Sequence, residues 1–106
     1  MAQYPPPYSV GSDNLPGLAK VVEEAGELLQ VAGKILAVGG TKIYYDGLEL
    51  RKAVKEEMAD VIASISFFVE TAGFTPEEQE EILNRATQKR ILFREWQESQ
   101  KGSEPE

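Results

Sequence analysis

Two pairs of carboxylates stand at a spacing that could do chemistry: Glu24 with Glu27 in Glu-Ala-Gly-Glu, and Glu57 with Asp60 in Glu-Met-Ala-Asp. On a helix, a step of three puts both members of a pair on nearly the same face. Four negative charges drawn together repel one another, and a divalent cation is the natural remedy. The chain has no cysteine and no histidine, so the ligands on offer are hard oxygens, which suit Mg²⁺ or Mn²⁺. Mg²⁺ usually keeps several waters and shares its shell with phosphate oxygens, so such a cluster suits a nucleotide polyphosphate better than a permanent structural metal. The rival reading is that the acids are a solvated face paired with Arg51, Lys52 and Lys55.

Positioning these groups falls to two helices. In the second, Leu50, Val54, Met58, Val61, Ile65, Phe68 and Ala72 recur at steps of three and four, the pattern of one apolar face. Glu57 falls within that stripe, closer to its middle than to its rim, and an ionised carboxylate held there needs compensation. In the first, Leu18, Val22, Ala25, Leu29, Ala32 and Leu36 make a bundle face, widened by Val21, Leu28 and Ile35. Glu24 lies at one edge of that stripe and Glu27 just outside it. The first helix is predicted to begin near Asn14, with Asp13 or Asn14 as cap and Pro16 in the first turn. Gly26, in its interior, suggests close approach of another backbone or a ligand, with simple tolerance of a glycine as the alternative. Gly39 and Gly40 stop the helix, Thr41 to Tyr45 form a connecting loop, and Asp46-Gly47 marks a turn. Lys42, Tyr44 and Tyr45 are loop candidates for contact with phosphate or base.

The second helix is predicted from about Leu48 to Ala72, and its apolar second half, Val61 to Val69, suggests cover by another subunit. Thr75-Pro76-Glu77-Glu78 starts a third helix with a capping box. Ile82, Ala86, Phe93 and Trp96 mark its apolar face, interrupted by Lys89, whose stem can run along a core. Beyond Trp96 the sequence has no apolar anchor and is expected to fray. At the other end, Tyr4, three prolines from Pro5, and Tyr8 favour an extended segment: a loose tail, or an arm whose tyrosines pack on a neighbouring subunit or cover a base. The organisation expected is an N-terminal arm over 1–14, a helical domain over 15–98 and a flexible tail over 99–106.

With 106 residues the chain is expected to form one all-α domain, an antiparallel helical bundle with three main helices per chain, completed by oligomerisation. Apolar residues make up 42 % and charged residues 27 %, the profile of a chain that folds. A net charge of −7 argues against nucleic acid or an anionic membrane as partner. The run from Val61 to Val69 is too short to cross a bilayer, and no charged-then-apolar leader opens the chain, so a cytoplasmic protein is expected.

Val22-Glu23-Glu24-Ala25-Gly26-Glu27-Leu28, followed by Lys55-Glu56-Glu57-Met58-Ala59-Asp60-Val61, resembles the MazG-like all-α nucleoside triphosphate pyrophosphohydrolases. That family carries Glu-x-x-Glu on one helix and Glu-x-x-Asp on the next. The resemblance covers about Leu15 to Trp96, though the stretch between the motifs, Leu28 to Glu56, is somewhat long. It implies a helical bundle assembled as a dimer, or as a tetramer made of two dimers, that hydrolyses a nucleoside triphosphate to the monophosphate and pyrophosphate with Mg²⁺, a task of nucleotide-pool house-cleaning. The substrate would be a dNTP or a non-canonical NTP. Glu24, Glu27, Glu57 and Asp60 would be the metal ligands, with Glu24 or Glu27 orienting or deprotonating the attacking water. Asn84, Lys89 and Arg90 occupy places comparable to the family's phosphate-contacting residues, with a looser match of spacing. Extra motifs by which some dCTP- and dUTP-hydrolysing relatives define their substrate are not found here.

A reading from another class is a non-catalytic acidic helical module for oligomerisation or partner docking, which predicts no stabilisation by Mg²⁺ and no nucleotide turnover. A di-iron carboxylate bundle is disfavoured, because such sites normally use histidine.

Overall fold

The two longest apolar patterns form helices, and the helices form where no proline or left-handed glycine intervenes. The computed structural model describes residues 10–39, 43–44 and 47–102. It is all-α in its regular structure, in the order α1 (Leu18–Ala37), α2 (Leu50–Thr71) and α3 (Pro76–Gly102). The chain groups into two compact units, Met1–Gly73 and Phe74–Glu106, where the length alone led us to expect one body. The Tyr/Pro arm up to residue 9, and Lys42, Tyr45 and Asp46, lie outside the described residues.

In the first unit α1 starts later than Asp13 and Asn14 predict. Gly17 takes φ 90° just before the helix, a left-handed conformation that ends the preceding turn and that only glycine adopts cheaply. That turn is closed by the Leu15 amide, which donates to the Ser12 carbonyl at 3.2 Å, and by the Gly17 amide, which donates to the Val10 carbonyl. At the other end α1 stops before Gly39, whose φ is 66°, as the glycine pair predicts. The connection holds one isolated antiparallel bridge, Ile43 with Glu49, and the Tyr44 amide donates to the Leu48 carbonyl at 2.9 Å. These bonds occupy Leu48 and Glu49, so α2 begins at Leu50 and not at Leu48.

α1 and α2 run antiparallel. The start of α1 meets the end of α2, where the Thr71 hydroxyl lies 3.0 Å from the Pro16 carbonyl and 2.8 Å from the Phe67 carbonyl. The packed face of α1 takes only part of the stripe that its longest apolar repeat suggests: Leu18, Ala25 and Ala32 are half-buried. Val31 is buried and Val21, Glu24, Leu28 and Ile35 are half-buried, whereas Val22, Leu29 and Leu36 are 67 %, 72 % and 81 % exposed. A single partner helix covers only one row of side chains at steps of three and four. α1 is apolar over a wider arc than that, so one of its two rows faces outward. α2 divides in the same way. Leu50, 2 % exposed, and Ser64 are buried, Ala53, Glu57, Val61 and Phe68 are half-buried, and Met58, Ile62 and Ile65 face outward.

The second unit is α3. Its start is as the sequence predicts: the Glu78 amide donates to the Thr75 hydroxyl at 3.1 Å, and the Thr75 amide donates to the Glu78 carboxylate at 3.0 Å. These two bonds satisfy donors that the helix itself leaves unpaired. The helix runs on to Gly102, past Trp96, where fraying was expected. Lys101 lies 3.7 Å from Glu98 in this last stretch, and its charge suits the helix C-terminus. Phe93 and Trp96 lie with ring centroids 5.7 Å apart.

Candidate metal centre

Glu24 and Glu27 stand on consecutive turns of α1, and Glu57 and Asp60 on consecutive turns of α2. The antiparallel crossing brings all four together: one carboxylate oxygen from each lies within 4.8 Å of the other three. Glu24, Glu27 and Glu57 are half-buried and Asp60 is exposed, so the cluster has an inner side in the helix interface and an outer side open to water. The side chain of Glu24 retains 12 % exposure.

The electrostatics are those of a site short of positive charge. The carboxyls of both Glu24 and Glu57 are pushed above their ordinary value of 4.5, first by burial and then by repulsion from Glu27 and Asp60. One oxygen on each of Glu24 and Glu57, Oε2 in both cases, is buried and has no hydrogen-bond partner. Buried polar atoms are nearly always partnered, so these two mark a place where a cation fits. Oxygen ligands about 2.1 Å from one Mg²⁺ lie at most about 4.2 Å apart. The four carboxylates therefore suit one such ion after a small closing movement of the side chains, or two ions that share ligands.

Among the described residues, Lys20 is the cation that reaches this cluster. Its Nζ lies 3.2 Å from Glu23 Oε2 and 3.6 Å from Glu24 Oε1. The first contact is the larger cause of a rise in the lysine's own pKa. No ion pair among the described residues joins Arg51, Lys52 or Lys55 to the four acids, and this removes the pairing that the sequence left open. Beside the cluster, toward the start of α1, is an open recess of about 450 Å³. Lys20, Glu24, Asp60 and Ser64 supply its polar lining, and Val10, Ala63 and Phe67 its apolar wall. The Ser64 hydroxyl donates to the Val61 carbonyl at 2.8 Å, which leaves its oxygen free to accept.

No family model, no curated protein and no solved structure matches the chain. What the fold itself provides is an all-α chain with a clustered acidic site that can hold a divalent cation.

Of the other residues singled out in the sequence, Asn84, Lys89 and Arg90 stand on α3 in the second unit, where Asn84 and Arg90 are exposed and Lys89 half-buried. Lys42 lies outside the described residues. A Cβ added at Gly26 would meet nothing within 4 Å, so no other backbone of the described residues approaches this glycine closely. Lys20 and Phe67 were not singled out from the sequence. The signal for Lys20 was its place one turn before Glu24, where a helical neighbour at i+4 must lie beside the carboxylate. No helix is long and apolar enough to cross a membrane among the described residues.

Proposed function

We propose that this protein is a Mg²⁺- or Mn²⁺-dependent hydrolase that converts a nucleoside triphosphate to the monophosphate and pyrophosphate. The observation that carries the reading is the convergence of Glu24, Glu27, Glu57 and Asp60, with a buried, unpartnered oxygen on each of Glu24 and Glu57. The resemblance of the two acidic motifs to the MazG-like family supplies the reaction class.

In this reading the four carboxylates hold the cation. A divalent ion there supplies positive charge to the polyphosphate and acidity to a neighbouring water. Glu57, on the packed face of α2, is a fixed ligand whose backbone cannot shift without separating the helices. Glu24 and Glu27 are the groups placed to orient the attacking water and accept its proton.

The test is incubation of the protein with a panel of canonical and modified nucleoside triphosphates and Mg²⁺ or Mn²⁺, with products resolved as monophosphate and pyrophosphate. Glu57→Gln should abolish that turnover and leave the helix content unchanged. Full activity in this variant would sink the assignment.

A second reading, a non-catalytic helical docking module, is favoured by the outward rows on both helices of the first unit, Val22, Leu29 and Leu36 on α1 and Met58, Ile62 and Ile65 on α2. The two readings agree that the chain self-associates, since rows of this kind need cover. They part on Mg²⁺: only the hydrolase gains thermal stability from the ion and turns nucleotide over.

A further inference from the structure

We infer that Lys20 is an anion-contacting residue of this site, and that the recess it lines receives a phosphorylated ligand through its phosphate chain. The inference rests on the metal-dependent reading above and adds to it a residue outside both acidic motifs.

Charge is the first argument. A polyphosphate approaching four carboxylates meets like charge even when a divalent ion is bound, because one such ion offsets only half of the four. An anion enters such a place only where further positive charge meets it. Among the described residues that line the recess, Lys20 alone brings a cation, and Glu24 and Asp60 of the cluster line the same recess. A phosphate oxygen there can face Lys20 while the same chain faces the carboxylate-held ion.

Donor capacity is the second argument. An ammonium has three N–H donors. Lys20 makes one hydrogen bond, to Glu23 at 3.2 Å, and its separation of 3.6 Å from Glu24 is an ion pair beyond hydrogen-bond length. Donors therefore remain for a ligand. The lysine also keeps part of its side chain accessible, 28 %, so a ligand can reach it without displacing a packed group. Shape is the third. The recess continues away from the acids onto Phe67 and Ala63, so an anion held at Lys20 can carry a less polar body against that wall, as a nucleotide does. A volume of about 450 Å³ lies within the ordinary range for small-ligand sites.

The test compares wild type, Lys20→Met and Lys20→Arg by titration calorimetry, first with Mn²⁺ alone and then with inorganic tripolyphosphate at saturating Mn²⁺. Expected are Mn²⁺ binding by all three proteins, tripolyphosphate binding about 10- to 100-fold weaker in Lys20→Met, and affinity restored to within several-fold in Lys20→Arg. Equal tripolyphosphate affinity in wild type and Lys20→Met overturns the inference and leaves the metal site standing. Wild type that binds Mn²⁺ but not tripolyphosphate does the same. Loss of Mn²⁺ binding in Lys20→Met would mean that the lysine acts by holding Glu24, which also overturns the anion contact. Wild type that binds no Mn²⁺ removes the metal reading and this one with it.

Discussion

Replacing Glu57 by Gln should change stability in opposite directions with and without a divalent cation. Glu57 contributes one of four carboxylate oxygens that lie within 4.8 Å of one another. Two unit charges at that separation repel by about 1 kcal/mol in a water-like dielectric and about 3.5 kcal/mol at an effective dielectric of about 20. Asp60 is exposed and Glu57 only half-buried, so the lower end applies to each pair. Removing one charge also removes the cost of partly dehydrating it, and the amide can donate to the neighbouring carboxylates. Without added cation the variant should gain about 1 to 2 kcal/mol and melt about 4–16 °C above wild type. With Mg²⁺ the order should narrow or invert. An ion with a Kd on the order of 1 mM, supplied at about 10 mM, stabilises wild type by about 1.4 kcal/mol, or about 6–11 °C, and the variant by little. The assay is thermal melting followed by circular dichroism, in chelator and in Mg²⁺, at pH about 8, well above the ordinary range of carboxyl groups. A variant that melts below wild type in chelator, or that gains as much from Mg²⁺, would refute the claim that these acids are crowded on the packed face and await a cation.

The raised carboxyls of Glu24 and Glu57 carry a pH dependence of known sign. A carboxyl whose folded pKa exceeds its unfolded value binds protons more strongly in the folded state, so its contribution to stability falls as pH rises above 4.5 and through the folded value. In chelator the protein should therefore melt higher at pH about 5.5 than at pH about 7.5, while the gain in melting temperature from Mg²⁺ should grow over the same rise, since the ion competes with protons; a flat profile in chelator would contradict the burial of these groups. Gly17→Ala should cost at least about 1–2 kcal/mol for the left-handed backbone, with more from the contact of the new Cβ at 3.0 Å from the Phe68 Cα; unchanged melting would show that the start of α1 can be rebuilt. Thr75→Ala should cost about 1 kcal/mol by removing the hydroxyl that caps α3, readable as lower helicity and a lower melting temperature. Sedimentation at micromolar concentration should show an oligomer, and Leu29→Glu, on the outward row of α1, should shift it toward monomer; a monomeric wild type would remove the case for self-association.

Helix positions and the capping box at Thr75 were legible because each depends on residues a few places apart. The four-carboxylate cluster was legible for the same reason: two i, i+3 pairs on neighbouring antiparallel helices need only one crossing to meet. The choice of face was not. Of the longest apolar repeat of α1, Val22, Leu29 and Leu36 point outward while Leu18, Ala25 and Ala32 are half-buried, and Glu24 belongs to the covered row with Val21, Leu28 and Val31. Periodicity identifies apolar rows but does not say which one a single partner takes when a helix carries two. The start of α1 was misplaced because Asp13 and Asn14 are good caps, whereas Gly17, in the left-handed region, and the turn closed on Val10 hold the chain out of the helix until Leu18. Lys20 escaped notice because a single lysine on a helix carries no signal until its carboxylate neighbour is known to matter.

Setting like charges on the face that joins α1 to α2 has a consequence for motion. Glu24, Glu27, Glu57 and Asp60 meet within the interface of the two helices, between buried Leu50 on one side and the Thr71 to Pro16 contact on the other. Whatever ties those acids together also ties one helix to the other, so occupancy of the site and closure of the hairpin are one equilibrium. Backbone amides around Glu24 and Glu57 should exchange with solvent more slowly as divalent cation is added, so that the free energy of the hairpin's opening tracks how full the site is.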